Sequence, residues 1–431
     1  MWRMHVVSGL SRTSTALLAA AVALTVLAPT LASQGRGATR APRYQVQALW
    51  PRPFANQSWV LGSVTGVTVD GQNHIWVVHR GGDSLENNEK GMMLTPPSSS
   101  ICCTAAPFVL EFDQMGALLT SWGGPGSGYQ WPQSPGGLAV DGKGNVWITA
   151  AGLEPAPAAR GRGPADPTAS EQPAAGAAAG RRGGGGAAAP PAPADAHVIK
   201  FSHDGKFLLQ IGTPGKMDGP DSQTTLNRPS AIAYDAAANE VFVADTGNRR
   251  IVVFDADTGA HKRHWFAYGE KAAGPASAPY VPGDPPAKSF RDVTCIEIAR
   301  DGNVYVCDRS SNRIQVFQKN GTFVREATVS KNTLGATVTG QFGVVSSYGS
   351  VWDIALSNDA QQRYVFIANG HDKKVHIFQR DNLTEVGTFG SGGRYPGQFL
   401  AVGSIAVDAQ GNVYTGEQHH GKRVQKFVPG K

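Results

Sequence analysis

Apolar residues alternate with polar residues in short runs along most of this chain, and turn-forming residues separate the runs. The clearest example is residues 294–327, where three turns containing Gly or Asn separate four such runs. Ile296 and Ile298 lie in the first run, and Val304 and Val306 lie in the second. A period of two predicts half-buried strands, and tight turns make neighbouring strands antiparallel. The segment therefore predicts a four-stranded sheet of about 40 residues, the repeating blade of a β-propeller.

The same unit recurs along the chain, as expected because an isolated blade cannot bury both of its faces. First strands are predicted at residues 66–70, 138–141, 232–234, 296–298, 353–356 and 405–408. The last copy stops after three strands at Phe427, and Tyr44-Gln-Val-Gln-Ala-Leu-Trp50 is the candidate for its fourth strand. We predict an all-β fold in which residues 44–428 form a six-bladed β-propeller of four-stranded antiparallel blades. The N-terminal strand closes the ring and leaves no free edge.

The first 43 residues precede the repeats. Residues 1–32 combine Arg3 and Arg12 with the apolar run 16–28 and with small residues near the end of the segment. This arrangement is typical of a signal peptide, and the apolar run is short for a membrane span. We predict a cleaved signal peptide at 1–32, a flexible lead-in at 33–43, and a secreted or periplasmic protein with no membrane anchor after cleavage.

Residues 151–195 interrupt the second copy with a sequence made mostly of Ala, Gly and Pro. Such a sequence buries too little apolar surface to offset its ordering entropy, so we predict a disordered insertion. The whole chain of 431 residues has a formal net charge of +6, but its Lys and Arg residues form no dense run. We therefore predict no nucleic-acid partner.

The antiparallel order of the strands predicts where the loops gather. Turns between second and third strands and links between blades share one face, which we call the long-loop face; the remaining turns form the short-turn face. The long-loop face takes the insertions 80–107, 151–195, 267–292 and 330–350. Long loops on a rigid body favour a binding surface for a peptide, protein or carbohydrate. Candidate ligand-binding aromatic residues are Tyr129, Trp131 and Trp352, and packing between blades is the alternative for the first two.

Two segments resemble the NHL-repeat family: Val241-Phe-Val-Ala-Asp-Thr-Gly-Asn-Arg-Arg-Ile-Val-Val-Phe254 and Val304-Tyr-Val-Cys-Asp-Arg-Ser-Ser-Asn-Arg-Ile-Gln-Val-Phe317. The resemblance covers most of residues 44–428 apart from the insertions. Each segment contains an aspartate and an arginine spaced to pair across a turn. We predict a structural role for these pairs, which are Asp245 with Arg250 and Asp308 with Arg313.

Within this family, the chain is similar to the peptidyl-hydroxyglycine amidating lyases, which are zinc-dependent six-bladed propellers. Ile75-Trp-Val-Val-His-Arg80 resembles the segment that carries the lyases' catalytic arginine, and the resemblance places that role on Arg80. Arg80 is also a candidate ligand-binding residue. The turn 245–248 lacks the tyrosine that the lyases use as a catalytic residue.

The resemblance does not extend to the metal sites of the lyases. The three positions of the zinc-binding histidines are occupied by Gly136, Thr294 and Gly403, which cannot replace three imidazoles. Ser404 stands where the family has an aspartate that helps to bind calcium. The sequence therefore assigns no cofactor, although zinc and calcium are the ions that the resemblance implies.

An alternative metal site is suggested by the turns of the long-loop face. His371, Glu417, His419 and His420 lie in turns between second and third strands. A set of histidines and a carboxylate suits zinc or a similar ion. Turns on different blades converge only if their side chains reach the central axis, so this set is a weak candidate.

The four cysteines form two separate cases. Cys295 and Cys307 are predicted to lie opposite each other on neighbouring strands, which makes them a candidate disulfide in an oxidising compartment. Cys102 and Cys103 are adjacent in a long loop. We expect a partly exposed thiol pair there, with a soft-metal site or a vicinal disulfide as the alternatives.

The leading functional hypothesis is a binding or scaffold module with its ligand on the long-loop face. The alternative is a propeller enzyme, either a lyase relative with a shifted metal site or a lactone hydrolase. A lactone hydrolase would need acidic residues along the central channel, and we expect Glu297 and Asp353 to point elsewhere or to stand alone. The sequence identifies neither the ligand nor the oligomeric state.

Overall fold

The computed structural model describes residues 41–152, 194–271, 278–335, 338–340, 343–345 and 347–430. The predicted signal peptide 1–32, residues 33–40 of the lead-in and residues 153–193 of the predicted insertion lie outside this range. Over the described residues, no helix combines the length and the apolar character needed to cross a bilayer.

The alternating runs form six four-stranded antiparallel sheets in the described part of the chain, as the sequence predicted. In blades 1 to 5 the order of the strands across the sheet follows their order in the chain. Blade 1 consists of Val64–Val69, Ile75–His79, Val109–Phe112 and Leu118–Trp122. Blade 2 consists of Pro135–Val140, Val146–Ala150, His197–Phe201 and Phe207–Gly212. Blade 3 consists of Pro229–Asp235, Glu240–Asp245, Arg250–Asp255 and His261–Trp265.

Blades 4 to 6 complete the ring. Blade 4 consists of Val293–Ile298, Asn303–Asp308, Arg313–Gln318 and Phe323–Thr328. Blade 5 consists of Asp353–Leu356, Tyr364–Asn369, Lys374–Gln379 and Thr384–Phe389. Blade 6 consists of Val402–Val407, Val413–Glu417, Val424–Pro429 and Tyr44–Val46. The first strand of each blade contacts the first strands of its two neighbours, so these six strands surround a central channel.

The predicted closure of the ring is confirmed. Tyr44–Val46 pairs antiparallel with the last strand of blade 6, with Tyr44 opposite Pro429 and Val46 opposite Phe427. The strand is shorter than the predicted 44–50, but Trp50 is buried beyond its end. The Trp50 ring lies 4.9 Å from the ring of Tyr414 in blade 6 and 5.9 Å from that of Phe112 in blade 1.

The links between blades contain short additional elements. Parallel pairs join Trp59–Val60 to Thr104–Ala105 and Ser391–Gly392 to Gln398–Phe399, and Val338–Gly340 pairs antiparallel with Gly343–Val345. Short 3-10 helices span Gly81–Ser84, Asn87–Glu89, Gly91–Met93, Thr246–Asn248, Ala267–Gly269 and Arg309–Ser311. The core lies between adjacent blades, where apolar residues of neighbouring sheets pack together.

The predicted Asp–Arg pairs are present, and they tie the links to the blades. The Asp245 carboxylate accepts hydrogen bonds from Arg250 Nε at 2.8 Å and from the backbone amide of Asn227 at 2.7 Å. Asp308 pairs with Arg313 at 2.9 Å and accepts two amides from the link that precedes blade 4. These carboxylates satisfy backbone donors that would otherwise be buried without a partner, so their role is structural.

Blades 1 and 2 replace this aspartate with other acceptors. In blade 1, Nδ1 of the buried His79 accepts the amides of Gly62 and Gly81 at 3.0 and 3.1 Å. Burial lowers the pKa of His79 to about 4, so the ring stays neutral at pH 7 and can accept hydrogen bonds. In blade 2, the buried Asp195 accepts the amides of Gln133, Ser134 and Gly152. The predicted disordered stretch 151–195 therefore has ordered ends, because its last residue anchors a link.

Both cysteine pairs form disulfides. Cys295 and Cys307 are register partners in blade 4, as predicted, and their sulfur atoms are joined. Cys102 and Cys103 are also joined, so the expectation of a free thiol pair is wrong and the vicinal disulfide is correct.

Candidate functional site

The central channel contains a cavity of about 320 Å³. Its wall is formed by the first strands of all six blades, and its mouth on the long-loop face is formed by the residues that flank those strands. Most first-strand residues that line the cavity are small or apolar, and the arginines of the lining lie where the backbone leaves the sheets.

Three arginines from three different blades line this mouth. Arg80 follows the second strand of blade 1, Arg228 precedes the first strand of blade 3, and Arg309 follows the second strand of blade 4. The resemblance had singled out Arg80; the other two were not predicted. They lie beside strand ends, and the resemblance assigns a role to neither of them.

The side chains of Arg309 and Arg228 are held differently. Arg309 forms an ion pair with Asp292, with distances of 2.8 Å from Nε and 2.6 Å from one terminal nitrogen. Its guanidinium also lies 5.2 Å from the ring of Trp352 and 5.4 Å from that of Tyr348. Arg228 has a left-handed backbone conformation, with φ of 50°, and its side chain packs on Gly152.

The Arg228 guanidinium forms no hydrogen bond or ion pair with the residues that the structure describes. The described residues that line this cavity include three acids as well as the three arginines: Asp292 at the mouth, and Glu297 and Asp353 on first strands. Because the walls exclude water, they strengthen the field of these charges at the channel entrance.

Two predicted metal ligands, His371 and His419, lie at this mouth as neutral aromatic groups. The Tyr348 ring stacks on His371 at 6.2 Å and on His419 at 5.9 Å. His371 Nε2 accepts the backbone amide of Tyr348 at 2.7 Å. Burial, followed by the nearby charges of Arg80 and Arg309, lowers the pKa of His419 to about 4. Burial also lowers the pKa of His371.

The other two members of the predicted metal set point elsewhere. Glu417 is buried and accepts hydrogen bonds from Arg423, Gln425 and the backbone of Leu400, as the equivalent aspartates do in blades 3 and 4. His420 is 74% exposed and lies 3.4 Å from the Glu86 carboxylate. The four residues therefore do not form a common site, and that hypothesis is wrong.

The structure also shows where the residues at the lyases' zinc positions lie. Gly136, Thr294 and Gly403 line the channel. The Thr294 hydroxyl donates to the backbone carbonyl of Val351 at 3.3 Å. Two glycines and one hydroxyl provide no imidazole, so these residues do not fit the family's zinc ion.

Tyr129 and Trp131 pack between blades 1 and 2. The Tyr129 ring lies 5.1 Å from Phe201 and 5.2 Å from Phe207. Trp131 is buried, with its ring 5.1 Å from Phe108. These two residues are part of the interblade core, whereas Trp352 lines the channel.

Two carboxyl groups lie inside the channel, contrary to expectation. Glu297 and Asp353, on the first strands of blades 4 and 5, both line the cavity. Burial, and to a smaller extent the nearby carboxylate of Asp353, raises the pKa of Glu297 to about 8. Burial raises the pKa of Asp353 to about 7, against the opposing effect of the amides of Ile354 and Ile405. The channel thus combines a basic mouth with carboxyl groups that change protonation near neutral pH.

The matches with known proteins concern the repeated unit of the blades. Residues 226–254, which include the Asp245 and Arg250 pair, match the model of the NHL repeat family. NHL repeat-containing protein 3 from Homo sapiens is 32% identical over 132 residues. The six-bladed ring agrees with both matches. The chain is a six-bladed propeller that contains an NHL repeat. The match with the human protein covers 28% of this chain and 31% of that protein's own length.

Several solved structures resemble this chain at 12% sequence identity. A streptogramin B lyase has a TM-score of 0.43, with 86% of this chain and 94% of that chain covered. An inactive virginiamycin B lyase from Staphylococcus aureus with quinupristin has a TM-score of 0.44, with 90% and 99% covered. A protein of unknown function from Bacteroides thetaiotaomicron has a TM-score of 0.49, with 90% and 72% covered. Similarity at this level carries no information about activity.

The channel carboxyl groups predict how the stability of this NHL-repeat propeller depends on pH. The Glu297 pKa rises from an ordinary value of 4.5 to about 8 on folding, so the folded state binds the proton more tightly between these values. Stability therefore falls as pH increases from 4.5 to 8. Glu297→Gln removes this loss. One pKa unit corresponds to about 1.4 kcal/mol, so even part of the effect should raise the melting temperature at pH 8 by roughly 3–6 °C.

The control for this experiment is Glu270→Gln, which changes an exposed glutamate. Melting curves recorded at pH 4.5 and pH 8 should show that Glu297→Gln stabilises the protein only at the higher pH. An equal change at both pH values would show that the carboxyl group does not titrate as described.

Proposed function

We propose that this NHL-repeat propeller is an exported binding module that holds a carboxylate-bearing ligand at the mouth of its channel. The observation that carries the proposal is the convergence of Arg80, Arg228 and Arg309 from blades 1, 3 and 4 on one opening. Guanidinium groups bind carboxylates through paired, charge-assisted hydrogen bonds. A rim with three such groups and one acid favours anions.

The size of the channel indicates how such a ligand would bind. A cavity of about 320 Å³ is at the small end of the range for ligand pockets. It accommodates one acidic group rather than a whole oligomer. We infer that an acidic side chain or terminus enters the mouth while the rest of a peptide or carbohydrate lies across the long loops. The half-buried Tyr348 provides aromatic surface beside Arg309 for that contact.

A second candidate is a propeller enzyme, and the channel carboxyl groups favour it. The sequence-based argument against a lactone hydrolase was that acidic residues would not line the channel, yet Glu297 and Asp353 do so. Carboxyl groups with pKa values of about 8 and about 7 suit proton transfer near neutral pH. The amidating-lyase alternative gains no comparable support, because its zinc positions do not fit.

Arg228→Ala should weaken binding of an acidic ligand by roughly 10- to 100-fold. The estimate follows from the loss of one charge-assisted hydrogen bond, about 1.5–3 kcal/mol. A suitable probe is a fluorescent hexapeptide rich in aspartate, measured by anisotropy at low and physiological ionic strength. Because the Arg228 guanidinium has no bonding partner among the described residues, its removal should leave the melting temperature unchanged.

Two further variants make this result specific. Arg228→Lys keeps the charge but loses the paired geometry, so its affinity should fall between those of the wild type and Arg228→Ala. Lys206→Ala removes an exposed charge from a short-turn face loop and should bind like the wild type. If Lys206→Ala and Arg228→Ala weaken binding equally, the peptide responds only to net charge and the proposed site is wrong.

A further inference from the structure

A second cluster of ligand-type residues lies on the short-turn face, between blades 1 and 2. One donor atom each from Asp70, His74 and Glu111 lies within 4.8 Å of the other two. His74 Nδ1 is 2.8 Å from Glu111 Oε1 and 3.9 Å from Asp70 Oδ2. His203, in a turn of blade 2, approaches the other oxygen of Glu111, with its Nε2 at 3.1 Å. This is the only group of three or more such residues found in the described part of the chain.

The equivalent position in blade 2 contains a buried lysine. Asp141 and Asn145 of blade 2 correspond to Asp70 and His74 of blade 1. Lys200 corresponds to Glu111, because each is the register partner of the tryptophan in the preceding strand. Lys200 Nζ lies 3.2 Å from Asp141 Oδ2 and donates to the carbonyl of Ala256 at 2.9 Å. In blade 2, an ammonium group thus neutralises the turn aspartate.

Blade 6 repeats the arrangement of blade 2. Asp408 accepts a hydrogen bond from Asn412, and Lys426 occupies the place of Lys200. Lys426 Nζ lies 5.5 Å from the ring centre of Tyr414 and donates to the carbonyl of Gln114 at 2.8 Å. The lysine thus pairs with the turn aspartate in blade 2, and in blade 6 it lies near enough to the turn aspartate to interact with its charge.

Blade 1 departs from this arrangement at both positions. A glutamate replaces the lysine, and a histidine replaces the asparagine. The turn of the neighbouring blade contributes the His203 side chain, whereas the corresponding turns beside blades 2 and 6 contribute the backbone carbonyls of Ala256 and Gln114. Glu111 is 2% exposed, and no lysine or arginine pairs with it among the described residues. Two close carboxylates with no fixed cation repel each other, and a buried carboxylate is costly to desolvate.

We propose that a divalent transition-metal ion, with zinc as the best fit, binds between Asp70, His74, Glu111 and His203. Imidazole and carboxylate ligands suit zinc, at distances of about 2.0–2.2 Å from the ion. Ligand atoms of a tetrahedral zinc ion lie roughly 3.4 Å apart, and the separations of His74 from Glu111 and from Asp70, 2.8 and 3.9 Å, lie on either side of that value. The metal ion supplies the positive charge that lysine supplies in blades 2 and 6.

The surroundings already orient the ligands. Asp70 Oδ1 accepts the amides of Gln72 and His74 at 2.9 and 2.8 Å, and Trp76 Nε1 donates to Oδ2 at 3.0 Å. Such outer contacts fix ligand carboxylates in metal sites. His203 is 56% exposed and its ring meets Trp76 edge-on at 5.1 Å. The metal ion would therefore join blades 1 and 2 at the surface, at the opposite end of the propeller from the arginine mouth.

The test is calorimetric titration of zinc into untagged, chelator-treated protein. The wild type should bind a single equivalent and melt at a higher temperature when zinc is present, because zinc binds the folded state. His203→Ala should weaken binding at least tenfold. The double variant His74→Asn with Glu111→Lys recreates the residues of blade 2, so it should bind no zinc yet melt as high as the zinc-loaded wild type.

The matched control changes histidines of the long-loop face. His371→Ala with His419→Ala should bind zinc like the wild type. The proposal is overturned if the wild type takes up no zinc, or if the double variant of blade 1 still binds it. Loss of zinc in the His371 and His419 control, with retention in His203→Ala, would likewise overturn it by placing the metal ion at the channel mouth.

Discussion

Removal of residues 44–50 is expected to lower the melting temperature of the whole propeller by roughly 10–20 °C. The deletion removes the outer strand of blade 6, so the backbone groups of the last strand lose their partners and become a free edge. It also removes Trp50, which fills the space between blades 6 and 1. Truncating a buried aromatic residue alone costs about 3–5 kcal/mol, and 1 kcal/mol corresponds to about 2–4 °C in a large domain.

The point variant Leu49→Ala is the control for this truncation, because Leu49 is 89% exposed within the same segment. It should melt like the wild type in calorimetric scans. If the truncated protein also melts like the wild type, the closing strand contributes nothing to stability and the ring is held together in another way.

Arg250→Ala is expected to destabilise the protein by about 3–5 kcal/mol, because it leaves the buried Asp245 without its counter-charge. The Arg250 side chain is fully buried and also donates to the carbonyls of Pro220, Ser222 and Thr225. The expected decrease in melting temperature is roughly 6–20 °C. Loss of these contacts releases the link between blades 2 and 3.

Arg249→Ala is the matched control, since it removes the neighbouring arginine, which is not fully buried. Chemical denaturation of both variants gives the free energies of unfolding directly. Equal values for the two variants would show that the Asp245–Arg250 pair does not hold the link, against the structural role assigned to the repeat.

The fold could be predicted from the sequence because each blade repeats the same local signals. Alternation predicts the strands, the turns fix their antiparallel order, and the missing strand of blade 6 points to Tyr44 at the other end of the chain. The pairing of Cys295 with Cys307 followed from register alone. These features depend on neighbours in one sheet, so local patterns are sufficient.

The site could be predicted only in part, since it combines residues from blades far apart in the sequence. Arg80 was found through a resemblance, but Arg228 and Arg309 carry no motif that distinguishes them from surface arginines. The direction of Glu297 and Asp353 was misjudged because both faces of a first strand are enclosed. Tyr129 and Trp131 were candidate ligand-binding residues with packing between blades as the alternative, and that alternative is correct.

Hydrogen–deuterium exchange with and without the aspartate-rich hexapeptide tests the central claim most directly, because it locates the ligand. Binding at the arginine mouth predicts slower exchange of backbone amides around Arg80, Arg228 and Arg309. Exchange in the turn 141–145 on the short-turn face should not change. Protection of that turn instead, or protection that is equal in wild type and Arg228→Ala, would contradict binding at the channel mouth.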